Sequence, residues 1–289
     1  MSQLLLNAVA QGSLYYLYAL ALALALFPLR IFHAALGGIV AVGGYTVVLL
    51  ANRAGWPIPF AFPVAVAAAT AVGIAIERLV YRPLHIRRSS TLAVAISSFA
   101  AYLVLVNIVA GLFSSQQAVV EGERTSVAIG GLFVTSPQLL TIAAATAVFL
   151  AVLVSLQTRY GQAVKAMEDS PELLRACGWN TMTIRTICIL TSSALGGLAG
   201  CLAAWDTGIE PGMGMSGLLS ALVIVVVVGA GSYKGLLPVA VLLALLQQVV
   251  SYQVSPRWES AVSFVVLTGF LVFKPNGLFS PHKRVEELV

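Results

Sequence analysis

The sequence predicts an all-α, polytopic membrane helix bundle with about eight to ten transmembrane helices, and two observations carry that prediction. Hydrophobic residues make up 59% of the 289 residues and charged residues only 9%, so soluble packing has no means of hiding the apolar surface. Apolar stretches recur at residues 4–29, 36–51, 60–76, 92–113, 139–156, 184–204, 213–228, 236–252 and 261–273. Lipid offers no partners to open backbone groups, so each stretch is read as a helix. Most approach the ~20 residues that a crossing needs. The stretches 36–51 and 261–273 hold only 16 and 13 residues and are read as tilted, extended or re-entrant.

Residues 1–289 are accordingly one transmembrane domain. No room remains for a separate soluble domain of roughly 100 residues, and soluble activity is expected from partners. The first stretch has neither a basic leader nor a small-residue cleavage site, so it reads as a retained helix. Cys177, Cys188 and Cys201 lack metal-type spacing and read as small buried packing residues.

Charge predicts orientation. With the loops after the first, third, fifth and seventh stretches and the tail 274–289 on one side, that side collects 13 of the 16 basic residues, leaving only Arg53, Arg124 and Arg257. The positive-inside rule makes it cytoplasmic and puts the N-terminus outside. The net charge of +5 is then a topology signal in contact with membrane lipid, and no nucleic-acid partner is expected.

Catalytic chemistry is missing. The Gly-rich run 229–235, GAGSYKG, has its lysine in the wrong place for a phosphate-binding loop, HExxH is absent, and His33, His85 and His282 are far apart. The chain is expected to be no enzyme, with no catalytic or metal-binding residues and no cofactor of its own. Acidic residues sit near stretch ends or in loops; Glu77 beside Arg78, and Asp206, are expected in ion pairs at headgroup level. Without ionisable groups in mid-span, ion coupling is disfavoured and energy is expected from outside the chain.

Polar residues within the stretches are mild: Asn7, Gln11, Ser97, Ser98, Asn107, Thr191, Ser192, Ser193, Ser220, Gln247 and Gln248. They suit either a water-lined path or interhelical hydrogen bonds worth roughly 0.6 kcal/mol each. The clusters Ser97–Ser98 and Gln247–Gln248 are the pathway candidates. Glycines at 37, 38, 43, 44, 196, 197 and 200 are expected to let helices approach closely.

The cytoplasmic loop 158–183 is the most informative connection, because its part 158–180, TRYGQAVKAMEDSPELLRACGWN, is long, charged and punctuated. Ser170 is a suitable N-cap, Pro171 suits the first helical position and Gly178 can end a helix. A short surface helix is expected over 171–177, with Leu173, Leu174 and Cys177 forming an apolar stripe without cover. The stripe reads as a docking element, or as a helix lying in the headgroups. On the other side, the loop 114–137, with Glu121, Glu123, Arg124 and Gly130–Gly131, and a shorter one with Asp206, Glu210 and Pro211 are plain solvated loops or receive a soluble partner.

TRYGQAVKA followed by Asp169, Pro171 and CGWN, then LGGLAGCL at 195–202, GIEPGMG at 208–214, VGAGSYKG at 228–235 and FKPNGLF at 273–279, form a collinear series. It resembles the branched-chain amino-acid permeases of ATP-binding-cassette importers, and specifically the smaller of their two permease subunits. The resemblance implies a multi-pass permease of a bacterial or archaeal plasma (inner) membrane, giving half of the path for branched-chain or related amino acids. A second permease subunit, two cytoplasmic ATPase subunits that use ATP, and an extracytoplasmic solute-binding protein are the implied partners. It also implies that Gly161, Ala163, Lys165, Ala166, Asp169, Pro171, Leu174 and Gly178 belong to a coupling element seated in an ATPase groove. Two departures from the family pattern stand out. In FHAALGG, 32–38, Leu36 occupies the place of a histidine, and Gln247 or Gln248 replaces an acidic residue common in the eighth span. Related permeases of the same broad group carry urea or short amides, so other solutes fall within the resemblance. The alternative reading is a passive channel for a small neutral solute such as urea, which leaves the insert 158–180 without a purpose.

Overall fold

In the computed structural model, residues 2–113, 116–120, 126–129, 132–274 and 277–279 are described. Every apolar stretch forms a helix. In chain order the helices are α1 (Ser2–Leu29), α2 (Leu36–Val48), α3 (Ile58–Ile76), α4 (Arg82–Ile86), α5 (Thr91–Phe113), α6 (Ser136–Ser155), α7 (Arg159–Asp169), α8 (Pro171–Ala176), α9 (Thr181–Asp206), α10 (Met213–Val228), α11 (Leu236–Gln253) and α12 (Glu259–Phe273). Among the described residues seven helices are long and apolar enough to cross a membrane. α10 and α12, with 16 and 15 residues, are shorter.

The short second stretch gains its length from a π-helical turn, Leu49–Arg53, which extends α2 to an 18-residue span, Leu36–Arg53. A second π turn, Glu77–Tyr81, joins α3 to α4 in one rod, Ile58–Ile86. Such a turn inserts one extra residue and rotates the side chains that follow. Here its buried members are Glu77 and Tyr81, on a helix that otherwise buries little but alanine and glycine.

α1, α2 and α9 form the centre, while α5 and α6 present apolar surface outward. α2 and α9 meet through glycine. A Cβ on Gly43 would lie 2.6 Å from the Gly197 carbonyl oxygen, so any side chain forces the backbones apart. α1 meets α11 the same way, since a Cβ on Gly12 would lie 2.6 Å from the Val241 Cα.

The connection 114–137 is not purely a loop. β1 (Ser126–Ile129) and β2 (Leu132–Thr135) pair antiparallel, from Ser126 opposite Thr135 to Ile129 opposite Leu132. β2 runs directly into α6, at whose start Gln138 Oε1 reaches back to accept from Thr135 N–H at 3.3 Å. Residue Ala118 pairs with Ile209, through N–H donors 2.9 and 2.7 Å from the opposite carbonyls, pinning this connection to the one between α9 and α10. Glu121, Glu123, Arg124 and Gly130–Gly131 lie outside the described residues.

At the opposite end of the bundle, two of the sequence motifs meet. Leu278 and Phe279 N–H donate to the Val227 and Val228 carbonyls at 2.8 and 3.0 Å, so the end of FKPNGLF meets the start of VGAGSYKG. Of the tail 274–289, residues 280–289, including Lys283 and Arg284, lie outside the described residues.

Candidate functional site

One end of the bundle holds a cavity of about 530 Å3, lined by α1, α6, α9, α10, α11 and α12. α1 supplies Asn7, Gln11, Tyr15 and Tyr18, which share a face because residues four apart stack along a helix. α11 supplies Gln247 and Gln248, and Ser220 of α10, Ser263 and Glu259 of α12, and Asp206 of α9 add to the polar wall. The amides are organised by hydrogen bonds. Gln248 Nε2 donates to Gln11 Oε1, and Gln11 Nε2 donates to the Tyr15 hydroxyl at 2.7 Å. Gln247, only 2% exposed, donates through Nε2 to Ser263 Oγ at 2.7 Å and to the Glu259 carbonyl at 3.4 Å.

The fold thus brings Gln247 and Gln248 together with Asn7, Gln11 and Ser220, and places the other pathway pair elsewhere. Ser98 lies at the far end of the bundle, where its Oγ accepts from Ala35 N–H at 3.1 Å and bonds the Tyr81 hydroxyl at 2.6 Å. Ser97 is half-buried beside it on α5. Thr191 and Ser193 donate to carbonyls one turn back, and Ser192 donates across to Ala21 of α1 at 2.6 Å. Tyr15, Glu259 and Ser263 escaped the sequence reading. The spacing of Asn7, Gln11 and Tyr15 was the available signal for the first of them; Glu259 and Ser263 reach the cavity only because α12 folds back on α11.

At the other end, the insert 158–180 forms two helices where the sequence predicted one. α7 is capped by the Thr158 hydroxyl, which accepts from Gly161 N–H at 3.2 Å. Gly161 also has no room for a side chain, since a Cβ there would collide with the Ser155 carbonyl. α8 starts on Ser170, whose Oγ accepts from Leu173 N–H at 3.4 Å, and stops at Gly178, where φ is +84°. The predicted stripe of Leu173, Leu174 and Cys177 is split. Leu174, 5% exposed, packs with Ala163, Met167, Ile184 and Cys188, while Leu173 is 69% exposed and Cys177 is also outside. The reason is α7, which supplies the cover that the sequence reading left missing. Lys165, Ala166, Asp169, Pro171 and Gly178 are exposed around this face, and Leu29 of α1 packs against the same cluster.

Beside the insert, at the same end as Ser98, lies a buried polar system. Arg185 Nε donates to Glu77 Oε1 at 3.2 Å, with the two side chains 5% and 3% exposed. The sequence placed Glu77 in a pair at headgroup level beside Arg78; its partner is instead Arg185 of α9, inside the protein, because the π turn directs it inward. His33 Nδ1 bonds the Tyr81 hydroxyl at 2.7 Å, continuing the chain from Ser98. In the connection between α1 and α2, burial pushes the His33 imidazole down to about 4. Among the described residues no cluster of three or more His, Cys, Asp or Glu could hold a metal ion.

The family model described as branched-chain amino acid transport system, permease component, matches residues 4–271. The chain belongs to this permease family. It is 25% identical to the high-affinity branched-chain amino acid transport system permease protein LivH of Escherichia coli K12, over 96% of this chain and 94% of that one. BraD of Pseudomonas aeruginosa, described likewise, matches at 25% with the same coverage. A probable LivH of Methanocaldococcus jannaschii matches at 23%, over 94% and 90% of the two chains. The solved structure of PsaBC from Streptococcus pneumoniae in complex with Fab shares the fold, with a TM-score of 0.52 at 13% identity, over 93% of this chain and 91% of that one. The permease is thus an all-α, multi-pass membrane protein of transport, not an enzyme.

Proposed function

We propose that this permease is the membrane-spanning half of an ATP-binding-cassette importer, with the cavity on its solute route and α7–α8 as its seat for a cytoplasmic ATPase subunit. The observation that carries the reading is the placement of cavity and insert at opposite ends of the same two helices. α1 runs ~33 Å from Asn7 to Leu29 at 1.5 Å per residue, and α9 runs from Thr181 beside α8 to Asp206 at the cavity. Pressure on α7–α8 reaches α1 and α9 through Ala163, Met167, Leu174, Ile184, Cys188 and Leu29. Both helices then shift the cavity wall, because a close-packed interior transmits displacement.

The basic residues favour α7–α8 and the C-terminus on the cytoplasmic side and the N-terminus and cavity outside, in a bacterial or archaeal plasma membrane. ATP is hydrolysed by two separate ATPase subunits, an extracytoplasmic binding protein delivers the solute, and a second permease subunit supplies the other half of the path. Branched-chain or related amino acids are the solute class that the relatives' names favour. The exposed Leu173, with Lys165, Asp169 and Pro171 around it, is the docking surface for the ATPase.

The test is purification of the tagged permease from native membranes in mild detergent, with mass spectrometry of stoichiometric partners, beside a Leu173→Asp variant. Two ATPases and a second permease are expected with the native chain, and loss of the ATPases alone with Leu173→Asp. Recovery of the native permease by itself overturns the importer reading. Unchanged ATPase recovery with the variant removes α8 as the docking element.

A further inference from the structure

The end of the bundle that carries the insert also carries an exposed cationic turn, between α4 and α5. The rod Ile58–Ile86 has 29 residues, or ~43 Å at 1.5 Å per residue, against ~30 Å of hydrocarbon. Trp56, 45% exposed just before the rod, marks the interface at its far end. Some ~20 residues span the hydrocarbon from there, which brings the rod out near Glu77 and puts the segment from Arg78 to Arg88 at headgroup depth. Arg78, Arg82, Arg87 and Arg88 are all exposed in that segment. None of the four guanidinium groups forms an ion pair with a described residue. Arg82 lies within electrostatic range of Glu77, but that carboxylate already holds Arg185. Apolar side chains flank the turn, since Leu79 is 77%, Ile86 65% and Leu92 70% exposed. Arg82 and Ile86, one turn apart on α4, share a face, and Arg88, with a φ of +52°, turns the chain back toward α5. His85 of the same turn is within electrostatic range of Arg175 of α8 and Arg185 of α9, so positive charge from three helices gathers there.

We infer that the turn between α4 and α5 is a binding site for an anionic phospholipid: Arg82, Arg87 and Arg88 hold the headgroup phosphate, and Leu79, Ile86 and Leu92 lie along the acyl chains. A guanidinium presents paired N–H donors that match phosphate oxygens. Several of them around one headgroup discriminate an anionic lipid from a zwitterionic one, whose own cation they repel. The apolar flank selects a lipid over a free phosphate, because a soluble anion leaves Leu79, Ile86 and Leu92 uncovered. A phosphate in this place also offsets the charge that Arg175 and Arg185 bring to the turn, so the lipid steadies α4 beside the insert. The site is independent of the cavity and of what the cavity carries.

The full-length permease in detergent is titrated with dioleoylphosphatidylglycerol and with dioleoylphosphatidylcholine, which share their acyl chains, and bound lipid is counted by native mass spectrometry. Two triple variants are compared with it. Arg82→Gln, Arg87→Gln and Arg88→Gln together remove the site, while Arg159→Gln, Lys234→Gln and Lys274→Gln together remove the same charge from exposed residues elsewhere on this end. The native permease is expected to bind phosphatidylglycerol about tenfold more tightly than phosphatidylcholine. The first variant is expected to lose that preference while binding phosphatidylcholine as the native chain does, which also reports that it is folded, and the second to keep the preference. Inorganic phosphate, compared with chloride at equal ionic strength, is expected to leave the bound phosphatidylglycerol in place. Equal affinity of the native permease for the two lipids overturns the inference, and so does an equal loss in both variants, which reduces the effect to diffuse charge. Displacement of the lipid by inorganic phosphate at concentrations like those of the lipid overturns the lipid as occupant.

Discussion

Glu77 and Arg185 give the sharpest energetic prediction, because one contact compensates two charges inside the protein. The pair makes a single bond of 3.2 Å between side chains 5% and 3% exposed, and Glu77 Oε2 has no partner. Removing one member of such a pair strands the other charge, which costs ~3–5 kcal/mol. Removing both with apolar residues of similar volume strands nothing and is neutral within ~1 kcal/mol. Glu77→Leu and Arg185→Met are therefore each expected to lose about 3 kcal/mol, and the double variant to recover most of it. Unfolding by SDS in mixed micelles, followed by tryptophan fluorescence, gives the three free energies for a double-mutant cycle. A coupling above ~2 kcal/mol is expected, since the residues touch across 108 positions of sequence. Single variants within ~0.5 kcal/mol of the native permease, or costs that add in the double, refute the reasoning that this pair ties α9 to α3.

Three further outcomes are expected. Leu174→Ala opens the small cluster under α8 at ~2–3 kcal/mol, so trypsin should cut at Lys165 or Arg175 sooner while Leu173→Ala, on an exposed residue, cuts like the native chain; equal rates for the two count against the packing described. Gly43→Ala must separate α2 and α9 by ~0.8 Å, from the 2.6 Å Cβ approach to ordinary contact, and overpacking of that size costs ~1–3 kcal/mol; an unchanged melting temperature contradicts it. His33, pushed down to about 4 by burial from the usual 6.5 or so, binds its proton more weakly folded than unfolded. Its stabilisation is complete above pH 6.5 and is lost as pH falls toward 4, so His33→Gln should flatten part of the melting-temperature slope over that window, and parallel slopes exclude the effect.

The helices were legible because each is a local property. Length and hydropathy mark a crossing, and the nine apolar stretches all became helices. The punctuation of α8 was legible for the same reason: Ser170 caps the next turn and Gly178 takes the left-handed conformation, both within a few residues of sequence. α7 was missed, although Thr158 is a cap of the same kind, because its residues alternate charge and small side chains without a long apolar run.

What the sequence alone determined about this permease is its class, the helices of its nine apolar stretches and the collinear motif series that its family membership bears out. What the tertiary structure decided is which faces meet. In lipid both the buried and the outward faces of a helix are apolar, so periodicity carries little direction. Ser98 and Gln247 looked alike as pairs of polar residues in spans, yet Ser98 bonds Tyr81 near the insert and Gln247 lines the cavity. Glu77 found Arg185 through a π turn, and Leu174 turned inward because α7 was there to cover it. Each of these depends on contacts between residues distant in sequence, which local chemistry permits but only packing selects.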